Sequence, residues 1–245
     1  MLRVLLVLPV LNEEIVLAEN ARQLAAWCDT HLTTYDWRIC IADNGSTDRT
    51  MDVARVAAAE DPRIVFTSIA ERGRGRALSE VWTNALGTAD IFAYMDVDLS
   101  ADLSALPTLL ACAVEGVAYG SRFAYGATVT RSVLREATSR GYLFLLRWIL
   151  GLDASDAQCG FKAVSADAWD RLHVHVTHPG WFWDTELLLF AERLGIPVRA
   201  VPVAWVETRD LKRKSSVRLV PTIVGYLRDI AWMRLRLWKE KIKNP

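Results

Sequence analysis

The chain has 245 residues, of which 52% are hydrophobic, and this is enough for one sizeable buried core. Acidic and basic residues balance at 29 each, so the overall charge gives no indication of a nucleic-acid partner. Four cysteines lie far apart without a C-x-x-C pair, which argues against a cysteine zinc site or a small disulfide framework and fits a reducing cytosol.

Strand-like apolar runs alternate with amphipathic helical patterns through the first half of the chain. The run at 4–8 is followed at once by Asn12, Glu13 and Glu14 with no cleavage site, so we interpret it as a buried strand rather than a signal peptide. Strands are predicted at 4–8, 37–42, 64–67, 91–95 and 117–120, and helices at 14–31, 47–60, 77–86 and 103–114. This alternation predicts an α/β fold with a mostly parallel sheet and helices on both faces.

The pattern changes after residue 120. Helices are predicted at 131–150, 166–172, 183–194 and 218–241, with a loop at 156–162 and a strand at 198–205. No apolar run approaches the roughly 18 to 20 residues that a membrane-spanning helix needs. Since there is no internal repeat or low-complexity linker, we predict one domain at 1–206 and an appended basic loop and amphipathic helix at 207–245.

Polar clusters follow three of the predicted strands, at residues 9–13, 43–48 and 96–98. In open sheets of this kind, ligands bind beyond the carboxyl ends of the strands. Because the three clusters come at the ends of different strands, we expect them to converge on one edge of the sheet. A single polar turn would carry little information, whereas three that converge indicate a ligand site.

The last cluster contains two carboxylates, Asp96 and Asp98, where an apolar run ends. In an extended segment, side chains two positions apart point the same way, so both carboxylates could aim at one point. Two unpaired carboxylates that close repel each other unless a cation lies between them, and Mg²⁺ or Mn²⁺ takes such oxygen ligands together with substrate phosphates. The alternative is that either aspartate caps the next helix, as Ser100 or Asp102 also could.

Two further segments suit a nucleotide that carries a diphosphate. In "DNGSTD", residues 43–48, the carboxylate of Asp43 could accept hydrogen bonds from a nucleobase, and the alternative is turn and capping chemistry alone. In "RGRGRA", residues 72–77, bare glycine backbone and guanidinium groups such as that of Arg74 suit a diphosphate at a helix N-terminus. A solvated basic loop explains this second segment equally well.

Seven short segments, in their order along the chain, resemble a known family: "LPVLNEE", "ADNGSTD", "RGRGRA", "YMDVDLS", "YGSRF", "SDAQCGFKA" and "WFWDTELL". They resemble glycosyltransferase family 2 enzymes of the GT-A fold, especially the branch that makes polyprenyl-phosphate sugars, the dolichyl-phosphate glucosyl- and mannosyltransferases and their bacterial relatives. The resemblance covers about residues 4–206. Its most specific parts are the last two segments, whereas the D-x-D and "DNGSTD" segments are shared by the whole superfamily.

The resemblance implies a donor site for a nucleotide sugar. It implies that Asp96 and Asp98 hold the donor diphosphate through a divalent metal ion, Mg²⁺ or Mn²⁺, which makes Asp98 a candidate catalytic residue. In relatives that make dolichyl-phosphate mannose, a Gln two residues beyond the pair often faces the metal, and here that position is Ser100. The residues implied to border the nucleoside are Pro9, Asn12, Glu13 and Asp43.

An acceptor phosphate site is predicted on the helix at 131–150. Arg131, Arg135 and Ser139 fall at intervals of four and would line one face of that helix; with Arg122 they could bind a phosphate monoester. The alternative is a solvated helix face. The resemblance implies Arg122, Arg135 and Ser139 as phosphate ligands, whereas Arg131 is added from the spacing alone. Asp156 is predicted to orient the phosphate or to accept a residual proton, with an ordinary loop cap as the alternative.

The resemblance also implies the reaction, a single in-line displacement with inversion that moves a hexose from UDP-glucose or GDP-mannose to polyprenyl phosphate. The two most specific segments favour UDP-glucose. Two alternatives stay open: a family 2 enzyme with a soluble or glycan acceptor, and a catalytically degenerate protein that only binds nucleotide sugars. Relatives carry a cation near the C-terminal loop where this chain has Ser216, and Lys214 or Arg218 could substitute for it.

Between residues 209 and 243, basic side chains outnumber acidic ones and apolar residues interleave with them at helical spacing. A basic helix with an apolar stripe is typical of a helix that lies in the membrane interface, so we predict a peripheral protein on the cytosolic face of a membrane. The alternative is a terminal helix packed on the core or on a second subunit, as in a homodimer. The predicted stripe consists of Leu219, Ile223, Tyr226, Leu227, Ile230, Met233, Leu237 and Trp238.

Overall fold

The computed structural model describes residues 1–206 and 219–239, and it describes side chains at 1–206 and 224–239. The strands are β1 (Leu2–Val10), β2 (Tyr35–Asp43), β3 (Ile64–Ser68), β4 (Ile91–Met95), β5 (Val117–Ser121), β6 (Thr128–Thr130), β7 (Phe161–Ser165), β8 (Val198–Pro202) and β9 (Ala204–Val206). The helices are α1 (Leu17–His31), α2 (Thr50–Glu60), α3 (Arg74–Asn84), α4 (Leu106–Ala113), α5 (Val133–Leu145), α6 (Ala166–Leu172), α7 (Trp183–Arg193) and α8 (Leu219–Lys239).

Seven of these strands form one sheet in the order β3-β2-β1-β4-β7-β5-β8. Strand β7 runs antiparallel to both of its neighbours, β4 and β5, and the other described pairs in the sheet are parallel. The predicted mostly parallel sheet is therefore confirmed. Because β1 lies between β2 and β4, the carboxyl ends of these three strands lie side by side, and so do the polar clusters that follow them.

The sheet has a hydrophobic core on each face, since successive residues of a strand point to opposite sides. In β1, Leu6 and Leu8 pack into the core that contains α1, α2 and α4, whereas Val7 packs into the core that contains α3, α6 and α7. Helices on both faces leave the central strands buried on both sides. This explains why these strands appear in the sequence as continuous apolar runs rather than as alternating patterns.

Two strands in the second half of the chain differ from the prediction. The predicted loop at 156–162 ends inside β7, and the predicted strand at 198–205 is two strands, β8 and β9, separated by Val203. In β7 the cause is Lys162, whose side chain is fully buried and places a charge inside an otherwise apolar segment. That charge interrupts the hydrophobic pattern from which a strand is predicted.

The predicted helix at 131–150 begins later than expected and changes its hydrogen bonding. The Ser132 hydroxyl accepts a hydrogen bond from the backbone N–H of Arg135 and caps α5, so Arg131 precedes the helix. The five residues Leu146–Leu150 continue α5 as a π-helix. Arg135 and Ser139 therefore lie one turn apart on α5 as predicted, whereas the prediction that Arg131 lies on the same helix is wrong.

Helix α8 packs one of its faces on the core. Ile230, Met233 and Leu237 are 2%, 0% and 3% exposed, so these members of the predicted membrane stripe are covered by protein. For this face, the alternative of a terminal helix packed on the core is correct. Among residues 224–239, the large apolar side chains that α8 exposes are Val224, Leu227, Trp232, Leu235 and Trp238.

Several predictions near the C-terminus lie outside the described side chains: those on Lys214, Ser216, Arg218, Leu219 and Ile223. In the part of the chain that the structure describes, no helix combines the length and the apolar character that crossing a membrane requires.

Candidate active site

The loops that follow β1 and β2 are locked together by hydrogen bonds. Pro9 lies in β1 opposite Ala42 of β2, three residues before this interlocked region. The Asn12 side-chain oxygen accepts the backbone N–H of Thr47 at 2.8 Å, and the Asn12 N–H donates to the Ser46 hydroxyl at 2.9 Å. The next N–H, that of Glu13, donates to the hydroxyl of Thr50 at 2.8 Å. These hydrogen bonds join the loops after β1 and β2 into one surface, which includes the exposed Asn12, whereas Pro9 is buried.

Asp43 ends β2 beneath this surface and is only 1% exposed. Its carboxylate accepts the backbone N–H of Ser46 at 3.1 Å and the hydroxyl of Ser68 at 3.3 Å. Gly45 lies between Asp43 and Ser46 and has φ +89°, a backbone conformation that residues with a side chain rarely adopt. The hydrogen bonds of an ordinary turn, which were the alternative for this segment, are therefore present. The contact of Asp43 with a nucleobase stays a prediction.

Asp96 and Asp98 follow β4 in a tight turn. The N–H of Leu99 donates to the Asp96 carbonyl at 3.0 Å, and Leu99 has φ +48°. The segment is not extended, so the premise from which we predicted a shared direction for the two carboxylates is wrong. The Asp98 carboxylate accepts the N–H of Ser100 at 3.1 Å, while the cap of the following 3₁₀ turn is Asp102.

A buried arginine neutralises the first aspartate of this turn. Arg74 Nη2 lies 2.9 Å from Asp96 Oδ1, and Arg74 Nη1 lies 2.6 Å from Asp184 Oδ2. The assumption that the paired aspartates lack a protein counter-ion is therefore wrong for Asp96. Burial raises the pKa of Asp96 and the charge of Asp98 adds to this rise, whereas the positive charge of Arg74 opposes it; the net direction is upward.

Beneath Arg74, a second buried cation holds Asp184 from the other side. Lys162 is 0% exposed, and its ammonium group lies 2.9 Å from Asp184 Oδ1 and 2.6 Å from the carbonyl of Cys159. The hydroxyl of Tyr94 also donates to Asp184. Burial alone would raise the pKa of Asp184, but the charges of Lys162 and Arg74 outweigh it and lower the pKa below its ordinary value. Asp184 is therefore an ionised anchor between two cations.

The glycine of "SDAQCGFKA" is required by the position of Asp96. A Cβ atom added to Gly160 would lie 2.0 Å from Asp96 Oδ2, closer than any non-bonded contact allows. The Asp96 N–H also donates to the Gly160 carbonyl at 3.1 Å. The loop that precedes β7 and the D-x-D turn are thus fitted to each other, with no space for a side chain between them.

The glycines of "RGRGRA" have a different role from the predicted one. A Cβ atom on Gly73 would lie 2.5 Å from the Pro179 carbonyl oxygen, and one on Gly75 would lie 2.4 Å from that of His178. The backbone N–H of Arg76 donates to the same Pro179 oxygen at 3.1 Å. The first turn of α3 is therefore covered by the chain itself, so the glycines provide close packing rather than bare backbone for a diphosphate.

On the acceptor side, Arg122 and Asp156 form a buried bidentate ion pair. Arg122 Nε and Nη2 lie 2.7 and 2.9 Å from the two carboxylate oxygens, and the Arg122 N–H donates to Asp156 as well. Burial would raise the pKa of Asp156, but the hydrogen bonds and charge of Arg122 prevail and lower it. Asp156 also accepts the N–H of Gln158, as a loop cap would. A carboxylate with a lowered pKa orients Arg122 well and accepts protons poorly.

The other predicted acceptor residues lie just before α5 and in its first half. Arg131 donates to the Ser139 hydroxyl at 3.3 Å and forms a 2.5 Å ion pair with Glu136, and its guanidinium lies 5.3 Å from the ring of Phe123, the residue after Arg122. Arg131 and Ser139 are thus brought together close to the Arg122 segment. Arg135 is exposed on the same helix. Their contact with a phosphate stays a prediction.

Residues 5–172 match the sequence profile of Glycosyl transferase family 2. The chain belongs to this family. Among its relatives, the glycosyltransferase AglD of Haloferax volcanii is 35% identical over 243 residues, which cover 98% of this chain and 37% of that protein. The dolichyl-phosphate beta-glucosyltransferase of Saccharomyces cerevisiae is 27% identical over 202 residues, 74% of this chain and 60% of that enzyme. The chain therefore spans under two thirds of both proteins, and the resemblance to the polyprenyl-phosphate branch is confirmed.

Solved structures confirm the GT-A fold of this family 2 chain. Glucosyl-3-phosphoglycerate synthase from Mycobacterium tuberculosis in complex with UDP superimposes with a TM-score of 0.69 at 21% identity, covering 96% of this chain and 79% of that one. The same enzyme with Mn²⁺, UDP and glucosyl-3-phosphoglycerate has a TM-score of 0.67 at 20% identity, covering 94% of this chain and 77% of that one. These neighbours are thus known with a nucleotide and a divalent metal ion bound.

The residues of the D-x-D turn fit a divalent metal ion that is shared with a donor phosphate. No group of three or more His, Cys, Asp or Glu that could hold a metal by itself occurs among the described residues. Mg²⁺, however, typically uses one or two carboxylates together with substrate phosphates. Asp96 and Asp98 are both partly exposed, and Arg74 binds only the Oδ1 atom of Asp96 within hydrogen-bond distance. Two partly exposed carboxylates in one turn match the protein's share of this requirement.

Three residues of this site were not singled out from the sequence: Lys162, Asp184 and Gly160. All three lie within the two most specific segments of the family 2 resemblance. The available signal was a charge inside a largely apolar stretch: Lys162 stands alone in "GFKAV", whereas Asp184 is followed by Glu186 in "WFWDTELL". A charge at such a position is buried only with a partner, so each one predicts a buried counter-ion even before its partner is known.

Proposed function

We propose that the chain transfers a hexose from a nucleotide sugar to polyprenyl phosphate with inversion at the anomeric carbon. The observation that carries the proposal is the position of Asp96 and Asp98, which follow β4 at the sheet edge where the β1 and β2 loops form the predicted nucleoside surface. The names of the relatives support the acceptor and favour glucose, since several are dolichyl-phosphate beta-glucosyltransferases. UDP-glucose is therefore the proposed donor, with GDP-mannose as the second choice.

On this proposal, Asp98 and the half-exposed side of Asp96 hold Mg²⁺ or Mn²⁺, and a divalent ion bound there would offset negative charge on the leaving nucleoside diphosphate. Arg74 keeps Asp96 in place from the buried side through its 2.9 Å contact. Ser100 donates its N–H to Asp98, which fixes the second carboxylate at the exposed end of the turn. The role of this chain's residues is thus to hold two carboxylates rigid at one edge of the donor cleft.

The acceptor is proposed to be bound as a phosphate monoester by Arg122, with Arg135 and Ser139 from α5. Asp156 holds the Arg122 guanidinium through two parallel hydrogen bonds and so orients it. Because the second pKa of a phosphate monoester is about 6, the acceptor is largely dianionic at neutral pH and needs no strong base. A phosphate oxygen forms the bond to the anomeric carbon, and the bond from that carbon to the donor diphosphate breaks, with the electron pair leaving on the diphosphate.

A lipid acceptor requires contact with a membrane, and α5 offers a surface for it. Leu134, Phe144 and Trp148 are 62%, 65% and 75% exposed, and with Ala137 and Gly141 they follow one face of α5 and its π-helical continuation. Arg140 and Arg147 flank this face and would attract anionic lipid. We place the membrane contact here and on the exposed apolar residues of α8, and we propose the cytosolic face of the membrane as the location.

A soluble acceptor is the second candidate, because a glucosyl-3-phosphoglycerate synthase shares the fold and is known in complex with glucosyl-3-phosphoglycerate. To decide, purified protein is incubated with Mn²⁺, polyprenyl phosphate and radiolabelled UDP-glucose or GDP-mannose, and the product is extracted into organic solvent. Only a lipid-linked sugar partitions there. Label that leaves the nucleotide but stays in water with every lipid tested would contradict the lipid acceptor, and label that stays on the nucleotide would favour a protein that only binds nucleotide sugars.

The metal role is tested by Asp98→Asn, which removes one carboxylate charge. We expect it to lower transfer by at least about a hundredfold, as for loss of a group that offsets charge in the transition state. The matched control is Asp102→Asn, since Asp102 lies in the same loop but caps the 3₁₀ turn. Transfer by Asp98→Asn at the rate of Asp102→Asn would overturn the assignment of Asp98.

A further inference from the structure

The C-terminal helix is joined to the core by a buried ion pair that the proposed reaction does not use. Arg236 of α8 places Nη1 3.1 Å from Oε1 of Glu186 in α7, and the Glu186 side chain is 0% exposed. The same guanidinium group donates to the His175 carbonyl at 2.9 Å and to the Thr177 hydroxyl at 3.2 Å. One side chain of α8 therefore binds both α7 and the segment that precedes it.

Glu186 also binds the backbone of the segment that precedes α7. Its Oε2 atom accepts the N–H of Thr177 at 2.9 Å and the N–H of His178 at 2.5 Å. The imidazole of His178 also faces α8, with Nε2 3.5 Å from a carboxylate oxygen of Asp229. Residues 177–178 are thus fixed by Glu186 from one side and by α8 from the other.

This segment lies directly on the first turn of α3. The Pro179 carbonyl accepts the N–H of Arg76 at 3.1 Å. The backbone oxygens of His178 and Pro179 lie so close that Gly75 and Gly73 have no space for a side chain. A shift of the segment would therefore move the start of α3, because no intervening side chain could absorb it.

The first turn of α3 carries Arg74, which is bound to Asp96 at 2.9 Å. The contacts from Arg236 through Glu186, residues 177–179 and α3 to Asp96 are continuous. We propose that Arg236 is a positioning residue for the donor site: by docking α8 on Glu186, it fixes the Arg74 contact with Asp96 and so sets the affinity for a nucleoside diphosphate. This inference rests on the proposed function in that Asp96 belongs to the donor site.

The first test measures hydrogen exchange in the full chain without any ligand. We expect Arg236→Ala to speed exchange of the amides at 72–78 and 176–180, while the amides of α1 exchange as before. The matched control is Arg234→Ala, because Arg234 is exposed and lies two positions away on the same helix. Arg236→Lys, which keeps the charge, is expected to restore part of the protection. Unchanged exchange at 72–78 in Arg236→Ala would overturn the proposal.

The second test measures binding of UDP with Mn²⁺ by calorimetry. We expect Arg236→Ala to weaken binding about tenfold, as for the loss of one charge-assisted hydrogen bond, with Arg236→Lys intermediate and Arg234→Ala unchanged. Loss of stability without any loss of UDP affinity would show that the pair only anchors α8 and would also overturn the proposal. If Arg236→Ala does not fold, Glu186→Gln takes its place with the same expectation.

The two tests separate failure of this inference from failure of the proposed function. If wild-type protein binds no UDP with Mn²⁺, the donor site itself is wrong, whereas the exchange experiment needs no ligand and still decides whether α8 controls the start of α3. If wild-type binds UDP and Arg236→Ala binds it equally well, the donor site stands and the positioning role of Arg236 fails.

Discussion

The guanidinium of Arg74 lies 2.9 Å from Asp96 and 2.6 Å from Asp184, so one buried cation joins the exposed D-x-D turn to the interior of the fold. The rings of Tyr94 and Trp181 flank it at 4.8 and 4.5 Å. Arg74 Nε has no hydrogen-bond partner among the described residues, so the group is held by the hydrogen-bonded ion pairs of Nη1 and Nη2 and by the ring contacts. The ion pair explains how the fold tolerates an aspartate at this position before any metal ion binds.

Replacing Arg74 by Ala would leave the buried carboxylate of Asp184 with one cation fewer, and it would leave that of Asp96 with no ion-pair partner among the described residues. Because breaking a buried ion pair leaves an uncompensated charge, we expect the free energy of unfolding to fall by about 3 kcal/mol. UDP with Mn²⁺ should also bind more weakly, since Asp96 loses its fixed position. Urea denaturation and calorimetry measure the two effects.

The control for Arg74 is Arg72→Ala. Arg72 belongs to the same "RGRGRA" segment but is exposed. We expect its loss to change the free energy of unfolding by no more than about 0.5 kcal/mol, as is usual at the surface. Equal effects of the two substitutions would contradict the buried role of Arg74.

Gly160→Ala should displace the D-x-D turn, because the added methyl group would overlap the Asp96 carboxylate at 2.0 Å. We expect weaker binding of UDP with Mn²⁺ and a lower midpoint of thermal unfolding. Gly141→Ala is the matched control: it lies in α5, where an added Cβ meets nothing within 4 Å, and alanine favours a helix. Gly160→Ala protein with wild-type affinity would show that Asp96 can move without loss of the donor site.

The parallel sheet and the convergence of its polar ends were predictable because both follow from local patterns. Strand and helix periodicities in the first half indicate the layers, and the clusters at 9–13, 43–48 and 96–98 each directly follow a strand. These patterns can be recognised from residues that are close together in the sequence. Asp96 and Asp98 lie at the predicted carboxyl edge of the sheet. However, the chain turns at Leu99, where an extended segment was expected.

The interior of the site could not be predicted, because it depends on pairs that are far apart in sequence. Arg74 and Asp184 are 110 residues apart, and nothing in either segment identifies the other as its partner. The glycines at 73 and 75 fit a phosphate loop as well as they fit close backbone packing, and the positions of His178 and Pro179 distinguish the two. Tertiary contacts thus determine the partner of Arg74 and the role of the two glycines, and neither can be deduced from the local sequence.

Glu186 should make stability depend on pH. Burial raises the pKa of Glu186 to about 7, and the hydrogen bonds from His178 together with the charge of Arg236 offset this only in part. An acid with a raised pKa binds more protons folded than unfolded, so its stabilising effect is complete below its ordinary pKa of 4.5 and is lost as the pH rises through about 7.

Between pH 5.5 and 7.5, we expect the Glu186 contribution to the free energy of unfolding to fall by about 2 kcal/mol. Glu186→Gln cannot titrate and should remove this part of the pH dependence, while other groups such as His178 titrate in both proteins. Urea denaturation across this range measures both slopes. Parallel slopes in wild type and Glu186→Gln would show that Glu186 stays ionised in the folded protein.

Asp156 should act on the acceptor through Arg122. Asp156→Asn weakens the bidentate pair, so we expect the KM for polyprenyl phosphate to rise about tenfold, the effect of one charge-assisted hydrogen bond, with the KM for the donor unchanged.

Because Arg122 keeps the pKa of Asp156 below its ordinary value, the pH profile of kcat between 6 and 8 should stay the same. Asp153→Asn, at an exposed position in the same loop, is the control. A changed pH profile would indicate that Asp156 accepts a proton.

The apolar face of α5 should bind lipid directly. Replacing Phe144 and Trp148 by Ser removes the two largest exposed side chains of this face, so we expect the protein to sediment with phosphatidylcholine–phosphatidylglycerol vesicles at least about tenfold less well.

Val56→Ser on α2, where Val56 is 54% exposed, is the control for the loss of surface apolar area elsewhere. If the double variant sediments as wild type does, the exposed residues of α8 alone must carry the contact. High salt should weaken binding of all three proteins, because Arg140 and Arg147 flank the face and attract anionic lipid through screened charges.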